Sequence, residues 1–185
     1  MIDKLPYIQQ KKLSAKGRER ADSLMAAAID LFSEQNYSYV TIQDITKRAG
    51  VTHSLVYYHF TNKEDLFNQA VTNLIRKTIK EYQKSRKHHH NPVDLINGWF
   101  ENNITNSKDL RKLVKIMFDY AGPHNGFPSV AVAIKKFYQE EHKILADSVA
   151  QGIILGHFTN VDPARIASFI STHIDGIFYD SFIRN

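Results

Sequence analysis

Apolar residues recur along most of the chain at intervals of three and four, the period of a helix that rests one side on a core. Ala21, Leu24, Met25, Ala28, Leu31 and Phe32 sit at offsets 0, 3, 4, 7, 10 and 11, which predicts a first helix within 18–37. Ile42, Ile45 and Ala49 predict a short second helix, and Leu55 and Val56 supply the interior contacts of a third. Leu66, Phe67, Ala70, Val71, Leu74, Ile75, Thr78, Ile79 and Tyr82 form one stripe along a long fourth helix. Four further stripes follow. Val93, Ile96, Trp99, Phe100 and Ile104 mark a fifth helix, and Leu110, Val114, Met117, Phe118 and Ala121 a sixth. A long seventh bears Val130, Ile134, Phe137, Tyr138, Ile144, Leu145, Val149 and Ile153, and an eighth Ile166, Phe169, Ile170, Ile174, Ile177 and Phe178. No strand-like alternation is sustained over four residues outside these stripes, and there is no internal repeat. The expected fold class is all-α.

The polar punctuation fits the same elements. Thr41 is placed to cap the second helix, with Asp44 three residues on to answer its backbone amide as in a capping box. Gly50 suits the left-handed conformation that ends a helix, Val51 can plug the corner, and Thr52 is a good cap for the next helix. Two short helices joined in this way read as a helix-turn-helix. Its second helix leaves Thr52, His53, Ser54, Tyr57 and Tyr58 as an exposed set of hydroxyls, imidazole and aromatic rings; a plain helical hairpin would carry the same caps. Asn91-Pro92 and Asp162-Pro163 are cap-and-first-turn pairs for the fifth and eighth helices. Ser107 is expected to cap the sixth, and Gly122-Pro123 to stop it.

The segment after Phe60 reads TNKEDLF, a polar cap, a lysine at the start of a helix, acids in its first turn, then apolar residues. From residue 41 to residue 67 the chain resembles the N-terminal domain of the tetracycline-repressor (TetR) family of transcriptional regulators. That family's pattern is a threonine opening helix 2, an Ala-Gly-Val turn, a Tyr-x-x-Phe recognition segment and a Lys-Glu-x-Leu start to helix 4, and each position is filled here. The resemblance reaches back through the first helix and covers about 50 contiguous residues; the remainder is similar only in architecture.

The resemblance implies an N-terminal three-helix helix-turn-helix DNA-binding domain and a C-terminal helical bundle for ligand binding and dimerisation. The expected boundaries are a basic arm at 1–17, the DNA-binding domain at 18–62, a connecting fourth helix at 63–87 that acts as a rigid lever, and the C-terminal domain at 88–185. Base contacts are expected from His53, Ser54, Leu55 and Tyr58, with Leu55 against a thymine methyl. Thr41, Thr52, Tyr57, His59 and Lys63 are expected to hold the DNA backbone. The implied partners are a double-stranded palindromic operator, a second copy of the chain, and a small apolar or amphipathic effector whose binding releases the DNA, the usual mode being repression. Trp99, Phe100, Asn103, Phe118, Phe137, Tyr138, His142, Phe169 and His173 are the expected pocket walls, although aromatics at helical spacing serve equally as ordinary core. The family normally pairs its eighth helix with a ninth at the dimer interface, whereas eight stripes are counted here.

Charge sharpens this picture. Residues 1–90 hold 15 Lys/Arg against 9 Asp/Glu, and residues 91–185 hold 9 against 10. Only the first half is basic, the footprint of a molecule that meets phosphate at one end. Lys11, Lys12, Lys16, Arg18 and Arg20 form the expected basic arm leading into the first helix, suited to the backbone or the minor groove. The 185 residues, 43% of them apolar, suffice for one compact unit or two small helical ones. No stretch is long and apolar enough for a membrane span or a secretory signal, and with no cysteine the expected location is the cytoplasm. His88-His89-His90 falls where a hydrated loop is expected, so no metal site is assigned. Glycine-rich phosphate loops, HExxH and GxSxG are lacking, and Glu140-Glu141-His142 has no partner by spacing, so neither an enzyme nor a cofactor is expected. An effector-free architectural or nucleoid-associated protein with the same reading head is the alternative.

Overall fold

The structure, a computed structural model, describes residues 14–88, 91–120 and 127–184. These residues form eight helices, α1 (Ala15–Glu34), α2 (Ile42–Ala49), α3 (His53–His59), α4 (Lys63–His88), α5 (Pro92–Thr105), α6 (Ser107–Tyr120), α7 (Pro128–Ile154) and α8 (Pro163–Ile183), with no strand among them. The fold is all-α. The described residues gather into two compact units, one drawn from Met1–Leu74 and Ile116–Ala133, the other from Ile75–Lys115 and Ile134–Asn185.

In the first unit α1 opens at Ser14, whose Oγ accepts the Gly17 amide at 3.2 Å. Lys16, Arg18 and Arg20, expected in an arm, therefore belong to its first turns, while Lys11 and Lys12 lie outside the described residues. The α1 stripe is buried throughout, with Leu24, Ala28 and Phe32 fully enclosed. At α2 the capping box is complete: Thr41 Oγ1 accepts the Asp44 amide at 3.1 Å, and Asp44 Oδ2 accepts the Thr41 amide at 2.9 Å and its hydroxyl at 2.6 Å. These bonds hold the Asp44 carboxyl below its usual pKa, the hydroxyl contributing most. Gly50 ends α2 at φ +65°, where a Cβ would be strained, and the Val51 amide returns to the Thr46 carbonyl at 3.0 Å.

Thr52 occupies the cap position of α3, but its hydroxyl does not bond the helix amides as expected. It pairs instead with Ser54 Oγ at 3.1 Å, so the two exposed hydroxyls satisfy each other. Asn62 caps α4, its Oδ1 accepting the Asp65 amide at 2.8 Å, while Asp65 Oδ2 accepts the Thr61 amide.

The turn between α1 and α2 is pinned from two directions. The Lys63 ammonium donates to the carbonyls of Tyr37 and Val40, both at 2.9 Å, and lies 4.1 Å from the centre of the Tyr37 ring. Burial lowers the Lys63 pKa. The Tyr37 amide donates to the Tyr120 hydroxyl at 2.6 Å. Around this turn Phe32, Tyr37, Phe67, Tyr120 and Phe127 pack ring on ring, mostly edge to face, with neighbouring centroids 4.7 to 5.7 Å apart.

In the second unit Ile75, Ile79, Leu113 and Leu145 are fully enclosed. Asn91 caps α5 and Asp162 caps α8, each followed by proline at the first helical position. The cap of α6 falls one residue earlier than expected. Ser107 is already helical, and Asn106 serves both ends, its amide closing α5 and its carbonyl receiving the Leu110 amide at 3.0 Å. The α4 helix runs through His88, and residues 89 and 90, like Gly122-Pro123, lie outside the described residues.

Replacing Lys63 by Met keeps the aliphatic stem and removes both bonds to the turn. The expected outcome is a loss of about 2 kcal/mol in urea-induced unfolding, because the Tyr37 and Val40 carbonyls lose a charged donor; an unchanged midpoint would show that the pin contributes nothing.

Candidate nucleic-acid interface

The α3 helix is seven residues long, and its wheel sorts the expected contacts. His53, Ser54, Tyr57 and Tyr58 fall within one exposed arc, with Tyr57 54% and Tyr58 59% accessible. His53 and Tyr57, four residues apart, bring their rings to 5.3 Å. Val56, fully buried on the opposite side, anchors the helix to the core. Leu55 and His59 are turned toward that side and are half-buried, since His59 is three residues from Val56 and Leu55 adjoins it. The His59 ring packs against Tyr58 at 4.9 Å and Phe60 at 6.1 Å. Neither residue shares the exposed arc with the other expected contacts.

The expected backbone contacts also divide. Thr52 and Tyr57 are exposed beside the arc, and Thr41 is exposed with its hydroxyl engaged in the capping box. Lys63 is half-buried, and its two bonds to the turn leave one of three ammonium protons uncommitted. Its place in the structure is that of a clamp on the turn between α1 and α2.

Of the expected pocket walls, the second unit brings together Trp99, Asn103, Phe137 and Tyr138. Trp99, Asn103 and Phe137 are buried, and Tyr138 is half-buried. Tyr82 joins them: its ring lies 6.0 Å from Trp99 and 6.2 Å from Phe137, and its hydroxyl donates to Asn103 Oδ1 at 3.2 Å. Phe100 is half-buried, its ring edge-on to Trp99 at 5.1 Å. His142 is half-buried, with Nε2 donating to the Ala164 carbonyl at 3.1 Å. Phe118, 56% exposed, and Phe169, 62% exposed, do not line an interior wall, and exposed His173 lies against the Phe169 ring. Their helices turn these positions outward, a choice that apolar spacing alone cannot make.

Sequence reasoning missed the polar centre of this cluster. Glu141, 4% exposed, accepts from Ser171 Oγ at 2.5 Å and lies 3.5 Å from the Tyr82 hydroxyl. Tyr138 donates its hydroxyl to Asp175 Oδ2 at 2.7 Å. Among the described residues no cationic side chain pairs with either acid. The Trp99 Nε1 is likewise buried without an acceptor among them. Burial pushes the Glu141 carboxyl up to about 7 against the pull of the Ser171 hydroxyl, with the Asp175 charge adding to the rise. Burial carries Asp175 up to about 6 against its bond from Tyr138. The available signal was position: Glu141 continues the α7 stripe through Phe137, Tyr138, Ile144 and Leu145.

Residues 24–70 match the family described as bacterial regulatory proteins, tetR family. The chain is 38% identical over 52 residues to the biofilm operon icaADBC HTH-type negative transcriptional regulator IcaR of Staphylococcus epidermidis, covering 28% of each. It is 36% identical over 59 residues to the HTH-type transcriptional regulator AcrR of Shigella flexneri, covering 32% of this chain and 27% of that one. The chain thus spans little more than a quarter of the length of these two relatives. A TetR-family transcriptional regulator from Agrobacterium tumefaciens has the same fold at a TM-score of 0.75 and 16% identity, with 91% of this chain and 90% of that one covered. No helix among the described residues is long and apolar enough to cross a membrane.

The raised Glu141 pKa carries a signed consequence. Between its ordinary 4.5 and about 7 the folded state binds a proton that the unfolded state releases, so stability falls as pH climbs through that window. At about 1.4 kcal/mol per unit the fall is on the order of 3 kcal/mol. Thermal unfolding of Glu141→Gln between pH 4.5 and 8 should lack this fall above pH 6, where the Asp175 contribution has ended, and the variant should be the more stable protein at pH 8. A wild-type profile that is flat from pH 6 to 8 would contradict the assignment.

Proposed function

The chain is a member of the tetR family of bacterial regulatory proteins, and on that premise we propose that it is a cytoplasmic, DNA-binding transcriptional repressor. It works as a homodimer on a palindromic operator, each subunit laying α3 in the major groove of one half-site. The observation that carries this reading is the exposed arc of His53, Ser54, Tyr57 and Tyr58 on a helix anchored by buried Val56. Imidazole, hydroxyl and phenol groups can bond base edges, and the hydroxyls of Thr52 and Tyr57 suit phosphate oxygens. Leu55, His59, Thr41 and Lys63 serve mainly to build and hold that surface.

The DNA-binding domain comprises residues 18–62, α4 connects, and residues 88–185 take the effector and the second copy. Support for dimerisation comes from α8, where Phe169, His173 and Ile177 are exposed at four-residue spacing beside Gly176, which has open space where a Cβ would lie. An isolated subunit leaves this stripe uncovered, and a two-fold partner would bury it. Support for an effector comes from the group of Trp99, Asn103, Phe137, Tyr138 and Glu141, where aromatic surface meets a buried carboxyl that no cationic side chain pairs and an indole N–H without an acceptor among the described residues. By linkage the effector must favour the state that does not bind DNA, by about 1.4 kcal/mol for each tenfold loss of operator affinity.

Selection of bound duplexes from a random library tests the reading. Wild type should enrich a palindrome whose half-sites lie about one helical turn, or a multiple of it, apart. His53→Ala should bind with an altered base preference at one symmetric position, at about 1 to 3 kcal/mol per lost contact. Enrichment of no sequence, or an identical preference in both proteins, would overturn it.

A further inference from the structure

In the second unit α4, α5, α7 and α8 bring polar groups to one place. Glu141 of α7 accepts from Ser171 of α8 through one carboxyl oxygen, and its other oxygen lies 3.5 Å from the Tyr82 hydroxyl of α4. Asp175 of α8 accepts from Tyr138 and is close enough for its charge to raise the Glu141 pKa. Two acids thus face one another with no cationic side chain paired to either among the described residues. Aromatic rings surround them: Tyr82 lies 6.0 Å from Trp99 and 6.2 Å from Phe137, and Tyr138 lies 5.3 Å from Phe137. Trp99 adds an independent observation, since it is 2% exposed and its Nε1 has no acceptor among the described residues. Trp99 and Asn103 are four residues apart on α5 and share a face, and Asn103 Oδ1 accepts from Tyr82. The indole therefore stands on the side of α5 turned toward the acids.

We propose that the effector is an organic cation, a protonated amine on an aromatic frame, whose ammonium pairs with Glu141 and Asp175 and whose oxygen accepts the Trp99 indole N–H. This rests on the effector reading above and adds the chemistry of the ligand. A carboxylate or phosphate ligand would meet two acids and no cation, and a neutral one would leave both carboxyls uncompensated. An ammonium carries three donors for the carboxylate lone pairs, and ring faces attract a cation within about 6 Å. The titratable groups that meet here are Tyr82, Tyr138, Glu141 and Asp175, while α5 contributes the uncharged Trp99 and Asn103. Both phenols are raised by burial and stay neutral. Burial holds Glu141 at about 7 and Asp175 at about 6, so near pH 6.5 the ammonium enters as one proton leaves Glu141. Amine affinity must then rise by about tenfold from pH 6 to pH 8, a range in which an aliphatic amine stays protonated.

The test is calorimetric titration of the full chain with three matched probes, phenoxypropylamine, phenoxypropanol and phenoxypropanoate, at pH 6 and pH 8. At pH 8 the amine should bind about tenfold or more tighter than the alcohol or the acid, and only the amine should gain affinity between the two pH values. Glu141→Gln and Asp175→Asn, each checked for folding by thermal unfolding, should lose about ten- to a hundredfold for the amine. Glu140→Gln removes an equal charge about 100° further round α7 and should bind as wild type does. Phenylbutylamine, with a methylene in place of the ether oxygen, should bind more weakly than phenoxypropylamine to wild type and equally to Trp99→Phe. An alcohol or acid that binds as tightly as the amine, or an amine affinity unchanged in both acid variants, overturns the cation assignment while leaving a small-molecule site in place. If none of the three probes binds, the effector reading of this cluster falls with it, and the α3 reading is untouched.

Discussion

One ammonium group governs the geometry of the head. Lys63, the first residue of α4, reaches back to two carbonyls of the turn between α1 and α2, and the same turn receives the Tyr120 hydroxyl through its Tyr37 amide. The start of α4 and the end of α6 are thereby both referred to the one short stretch of backbone that joins α1 to α2. The α2 helix starts where that stretch ends, at a completed capping box, and α3 follows α2 through a glycine whose left-handed conformation leaves little freedom. The exposed arc of α3 thus stands on a chain of fixed joints. Such preorganisation is what a short reading helix needs, since seven residues cannot hold their own conformation in water.

The second unit departs from an ordinary apolar bundle at one place. Glu141 is buried and Asp175 half-buried beside phenols and a serine hydroxyl, and among the described residues no cationic side chain pairs with either. A core of this kind costs stability that a leucine or phenylalanine would supply, and structural economy does not explain it. In the proposed function that cost is the signature of a site able to respond to what enters it. The exposed stripe of α8 is a second departure, and in the proposed function a two-fold partner covers it.

Much of this was legible in the sequence because it is local. The Thr41 capping box, the Gly50 terminus, the Asn91 and Asp162 caps and the buried stripe of α1 each depend on residues within one or two turns of one another. What depends on distant partners was not. The bonds of Lys63 reach 23 and 26 residues back, and the Glu141 carboxylate meets a serine 30 residues on. Thr52 shows a smaller failure of the same kind, where a neighbouring hydroxyl outcompeted the helix amides. Phe118, Phe169 and His173 were drawn inward by their spacing, yet a stripe wider than the core it covers must leave some members outside. The positions of Leu55 and His59 could have been read from the wheel once Val56 was fixed as the anchor.

The central claim is that the outward arc of α3 meets the DNA. Chemical-shift mapping of the isotopically labelled protein, titrated with a selected duplex of about 20 base pairs, tests it most directly. The account predicts the largest changes at His53, Ser54, Tyr57 and Tyr58, with smaller ones at the start of α4. Changes confined to α5 through α8, with the α3 signals unmoved at saturation, would contradict it.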